Sequence, residues 1–136
     1  MPSSSRDFQR AAAQRLATAQ FLVENGSRYN LDATYLAGYA IECTLKALII
    51  EYSSEAERTE KLKLITSGKK NHNPEILAGY LTDIGHPIPP DLKKRILRLG
   101  WSVDLRYEFG KKDTGETRAF LKSATAIYDW VEGQLP

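Results

Sequence analysis

Asp32-Ala33-Thr34-Tyr35-Leu36-Ala37-Gly38-Tyr39-Ala40-Ile41-Glu42-Cys43-Thr44-Leu45-Lys46-Ala47-Leu48-Ile49-Ile50-Glu51-Tyr52 is the stretch that decides the fold. Ala33, Leu36, Ala37, Ala40, Ile41, Thr44, Ala47 and Leu48 recur at helical spacing on one side, while Tyr35, Tyr39, Leu45 and Ile49 fill much of the other. A helix that is apolar nearly all round is a buried one, so this segment is expected to be the central helix, with Asp32 as its cap. Gly38 costs about 1 kcal/mol relative to alanine inside a helix, which points to close approach of a neighbour there. Within this apolar surround stand Glu42 and Lys46, four residues apart and therefore on one face.

Working outward, helical periodicity dominates and no strand or hairpin signal appears. Upstream, Phe8, Ala12, Leu16, Ala19 and Val23 form a stripe that Gly26 ends, with Arg15 falling inside it. Downstream, Ser54-x-x-Glu57 resembles a capping box before a weak helix through Leu62, Leu64 and Ile65, followed by a mobile Ser67–Lys70 loop. Asn73-Pro74 opens a further helix, with asparagine as cap, proline at the first position, and Leu77, Leu81 and Ile84 facing inward. A stiff Gly85–Pro90 connector leads to a short helix from Asp91 through Leu92, Ile96 and Leu99, its Lys93, Lys94, Arg95 and Arg98 mostly outside. A loop over 101–112 carries Trp101, Arg106, Tyr107 and Phe109, and Asp113-x-x-Glu116 caps a last helix striped by Phe120, Ala124, Ile127, Val131 and Leu135. The expected fold is all-α, a single domain over residues 1–136: a mostly antiparallel bundle of four main helices plus one or two short ones.

Composition limits the chemistry. The 136 residues are 42% hydrophobic and 26% charged, which suits a folded domain. No apolar run reaches the ~20 residues of a bilayer span, and the polar N-terminus does not read as an export signal. A single cysteine, Cys43, suits a reducing compartment, so a cytoplasmic protein is expected. The net charge of +2 is too small to argue for nucleic acid by itself. With one cysteine and two histidines, neither in a His-x-x-x-His pair, no metal site is expected; no phosphate loop or dinucleotide fingerprint is present, so no cofactor is expected either.

What remains is the Glu42–Lys46 pair. It is either a solvated bridge worth about 0.3–0.5 kcal/mol or a buried network needing further partners. Arg15 and Arg106 are candidates to complete it, and so is His72, because the helix it precedes should pack back on the central one. His86, between Gly85 and Pro87, reads as a solvated turn residue. Lys93, Lys94 and Arg95, with Lys69, Lys70, Lys111 and Lys112, form either a solvated face or a phosphate-attracting rim.

Several segments together resemble the HEPN domain, a small helical family found beside nucleotidyltransferases and in prokaryotic toxin–antitoxin pairs. Tyr35–Ile49 is similar to the family's second helix with its Ala-x-Glu-x-x-Leu-Lys-Ala core. His72 resembles the family's His-Asp-Leu element, with Asn73-Pro74 in place of the usual continuation. Trp101 followed by Leu105-Arg106-Tyr107 resembles the Arg-Tyr element, and Ile127-x-x-Trp130-Val131 resembles the end of the last helix.

Family nucleases carry an Arg-x(4–6)-His motif, and this chain has none: no arginine stands at that distance before His72 or His86, and no histidine follows Arg106. Arginine alone is a poor base because it stays protonated. The resemblance therefore implies a non-catalytic binding module, with no catalytic residue assigned. It would form a homodimer and engage a nucleotide, RNA or a nucleotidyltransferase partner. The ligand-binding residues it implies are Glu42, Lys46, His72, Arg106 and Tyr107, with Lys46 and Arg106 meeting phosphates, Tyr107 stacking on a base and Glu42 orienting the cations. A metal-independent ribonuclease or toxin with a non-standard site is the alternative, and a purely structural network is the other.

Overall fold

The computed structural model describes residues 4–99, 108, 110 and 112–136, with backbone alone at 69 and 70. Among these it is all-α, with six helices: α1 (Ser5–Glu24), α2 (Asn30–Tyr52), α3 (Arg58–Ile65), α4 (Pro74–Asp83), α5 (Pro90–Arg98) and α6 (Thr114–Gln134). Trp101, Arg106, Tyr107, Phe109 and Lys111 lie outside the described residues.

Every residue of α2 from Ala40 to Ile50 is buried, so three turns of helix are covered on all sides. Its main neighbours are α1, α6 and α4, and α5 reaches the core by inserting Leu92 and Ile96. Contrary to the expectation from the sequence, residues 27–52 are apolar and long enough to cross a membrane; 83% of the most apolar stretch is buried within the protein, which makes it a core helix.

The ends of the helices follow from their backbone donors. Ser4 accepts a hydrogen bond from the Asp7 amide to start α1, and Gly26, at φ 136°, turns the chain after it. Asp32 does not cap α2: a 3-10 turn at Ser27–Tyr29 runs straight into the helix, which begins at Asn30, leaving Asp32 in its first turn. Asp32 still favours the positive end of the helix dipole there.

The Ser54-x-x-Glu57 box does not form either. The Ser54 carbonyl accepts from the Glu57 amide at 2.9 Å in a second 3-10 turn, which supplies backbone bonding where the box would have used side chains, and α3 starts at Arg58. Asn73 and Asp113 do cap, accepting from Glu75 and Glu116 amides at 2.9 Å each. α5 starts at Pro90, one residue before Asp91, because proline needs no amide partner at the first helical position.

Two polar clamps tie the long helices. Gln9 is buried; its carbonyl accepts from the Thr44 hydroxyl at 2.6 Å, and its amide donates to Glu132 at 2.8 Å. Arg6 donates to the same carboxylate at 2.7 Å, and these two donors hold the Glu132 carboxyl below its ordinary range. α1 is thereby fastened to both α2 and α6.

Candidate functional site

Glu42 and Lys46 sit in the fully buried stretch of α2, 3% and 5% exposed, and the Lys46 ammonium donates to Glu42 Oε2 at 2.8 Å. The solvated reading of the pair is therefore ruled out by geometry. A lone ammonium at this depth would cost several kcal/mol in lost hydration, a cost that the carboxylate beside it offsets.

The second carboxylate oxygen is also used. His72 Nδ1 lies 2.9 Å from Glu42 Oε1. A carboxylate bound to an ammonium only accepts, so Nδ1 carries a proton, and in the neutral ring Nε2 presents its lone pair. The His72 side chain is 36% exposed, and Nε2 has no hydrogen-bond partner among the described residues. Of the three groups, two are beneath the surface and one reaches solvent.

His72 is delivered by the segment before α4. Residues 69–72 form a 3-10 turn, and Asn73 with Pro74 then starts the helix. The loop expected to be mobile is pinned by the neighbouring residue, Asn71, which is 1% exposed. Its amide nitrogen donates to the Leu64 and Ser67 carbonyls, and its oxygen accepts from the Tyr80 hydroxyl at 3.1 Å. Sequence reasoning passes over Asn71 because it is one polar residue in a polar stretch. The only available signal is its place directly before His72.

Arg15 does not complete the network; no ion pair joins it to Glu42. Its guanidinium acts instead on Tyr39 and Cys43, in each case favouring the ionised form. Burial, and next the Glu42 carboxylate, outweigh it at both. The Tyr39 hydroxyl is pushed up, and the Cys43 thiol is pushed up to about 12. At about pH 8 Cys43 is then protonated and unreactive. An aromatic disulfide reagent is expected to label the native protein only as fast as the core opens, and the denatured protein at once; rapid native labelling would contradict the burial.

His86 is not a solvated turn residue. The α4–α5 connector folds over the ends of α2 and α6, where His86 stacks on Tyr52 with ring centroids 3.8 Å apart and 13° between planes, and tilts against Trp130 at 6.2 Å. Its Nε2 is buried without a partner among the described residues. His86 therefore belongs to a different part of the molecule from the Glu42 network.

The structure thus brings together Glu42, Lys46 and His72, while Arg106 and Tyr107 lie outside the described residues. Among the described residues no cluster of three or more histidine, cysteine or acidic side chains is arranged to hold a metal. No curated protein and no solved structure gives a significant match to the chain. A family model for the HEPN domain does match, over residues 5–134, and this coverage of nearly the whole sequence means that the chain belongs to the HEPN domain family.

Proposed function

We propose that the protein is a non-catalytic binding module of the cytoplasm that engages a nucleotide or RNA at the His72 face. The observation that carries the reading is the Glu42 carboxylate bridging buried Lys46 to a histidine more than one third exposed. A purely structural ion pair needs no third, solvent-facing member. Fixing Nδ1 as the donor leaves Nε2 as an acceptor for a ribose hydroxyl or a base amine. Lys46 then acts from below, holding Glu42 Oε2 while Oε1 meets His72. Arg106 toward a phosphate and Tyr107 against a base complete the proposed set on the family resemblance alone. The same resemblance supports a homodimer, and a nucleotidyltransferase as protein partner in a toxin–antitoxin pair.

Equilibrium titration with mononucleotides and short RNAs, repeated across salt concentrations, tests this. Wild type is expected to bind at least one of them, with affinity reduced in His72→Ala and Arg106→Ala proteins of unchanged stability. Failure of wild type to bind any would sink the ligand reading and leave a structural network.

A second reading is favoured by the same 2.9 Å contact. A carboxylate-held imidazole is also how a general base is oriented, and His72 Nε2 would accept a 2′-hydroxyl proton in metal-independent RNA cleavage. Cleavage products that accumulate with wild type and vanish with His72→Ala would replace the binding reading by this one.

A further inference from the structure

α5 carries four cations, Lys93, Lys94, Arg95 and Arg98, against one carboxylate, Asp91. Where α5 meets α6, a groove of roughly 550 Å³ opens, lined by Arg95, Arg98, Lys112 and Lys122. Glu116 is the one carboxylate lining it among the described residues. Four cations against one anion leave a local excess of three, which exceeds the +2 of the whole chain, so the rest of the molecule is on balance slightly acidic. None of the four cations forms an ion pair among the described residues. Cations gathered around a single carboxylate repel one another, and among the described residues no ion pair offsets that repulsion.

We propose that this groove binds the phosphodiester backbone of single-stranded nucleic acid, as a site separate from His72. Arg95 and Arg98, three apart on α5, share one face of the helix and offer planar donors suited to phosphate oxygens. Lys122 lies across the groove on α6. Leu99 and Phe120 add apolar side chains to the lining. A strand of nucleic acid supplies both anions for the cations and flat apolar bases for the apolar part of the lining. An acidic peptide would match only the cations, and a lipid surface would not enter a concave groove.

The test is fluorescence anisotropy of short labelled RNA and DNA oligonucleotides with the full chain over a range of salt concentrations. Each phosphate contacted on a single strand contributes about −0.7 to the slope of log K against log salt, so four contacts predict a slope near about −3. Arg95→Gln/Arg98→Gln is expected to weaken binding about tenfold and to make the slope shallower by about 1.4. Lys122→Gln is expected to make it shallower by about 0.7. All three substitutions lie at the groove lining and should leave the unfolding midpoint unchanged.

His72→Ala should keep the wild-type slope, which distinguishes failure of this site from failure of the His72 site. Equal slopes for wild type and both groove variants would overturn the proposal. So would competition by polyglutamate as effective as by RNA of equal charge, or binding of anionic phospholipid vesicles in place of oligonucleotides.

Discussion

Replacing Glu42 by alanine is expected to lower the unfolding free energy by about 3–5 kcal/mol, because it leaves the Lys46 ammonium buried without a counter-charge. Against a total of about 5–15 kcal/mol for a domain of ordinary stability, that is enough to leave a large unfolded fraction at physiological temperature. A surface pair at the same spacing would cost only about 0.3–0.5 kcal/mol. The two cases differ by burial: the side chains of Lys46 and Glu42 are 6% and 4% exposed. Urea unfolding would show the loss as a lower midpoint at unchanged m.

Removing both charges should behave differently. Glu42→Leu/Lys46→Met replaces the pair by apolar groups of similar reach, which in buried pairs is often neutral or stabilising. That double variant also separates the readings of the network. A stable protein that no longer binds the ligand of wild type would show that Glu42 serves His72 and not the core. A cost below about 1 kcal/mol for the single variant would mean that water reaches the pair.

The contrast between α2 and its surroundings shows where local sequence carries structural information. An all-round apolar pattern from Ala40 to Ile50 has one stable solution, a helix enclosed by others, so the centre of the fold is legible from spacing. Asn73-Pro74 and Asp113-x-x-Glu116 are legible for a similar reason, since each motif satisfies amides that have no other partner. Ser54-x-x-Glu57 has the spacing of Asp113-x-x-Glu116, but the 3-10 turn already provides the carbonyl, and only the path of the backbone reveals that.

The Glu42–Lys46 pair follows from a four-residue spacing. The arrival of His72, 30 residues away from Glu42, depends on how α4 docks. Arg15 illustrates the limit: its stripe position brings it to α2, yet to the neighbourhood of Tyr39 and Cys43, with no ion pair to Glu42. Helical register tells which face a residue occupies. It does not tell which of several groups on the opposing face a long side chain will meet.

Asn71→Ala is expected to cost about 2–4 kcal/mol, a large effect for one amide in a polar segment. Alanine removes the donor to the Leu64 and Ser67 carbonyls and the acceptor for the Tyr80 hydroxyl in one step. Each buried group left unsatisfied costs about 1–3 kcal/mol, and Tyr80, only half-buried, lies at the lower end by turning to water. Asn71→Asp should be at least as damaging although it keeps the shape, because a carboxylate would set acceptors against two carbonyls that need a donor.

The consequence for the site is more specific than lost stability. His72 is the next residue, so its ring position relative to Glu42 depends on the turn that Asn71 holds. The chain has two histidines, His72 and His86, which makes the ring nitrogen signals readable by NMR. In wild type His72 should show the tautomer protonated at Nδ1. In folded Asn71→Ala the signal should move toward a mixture of tautomers, with a matching loss of any affinity that depends on His72. An unchanged His72 signal in a destabilised Asn71→Ala protein would restrict Asn71 to packing the loop. In that case Glu42 alone, reaching out from the buried helix, would be what holds the imidazole in place.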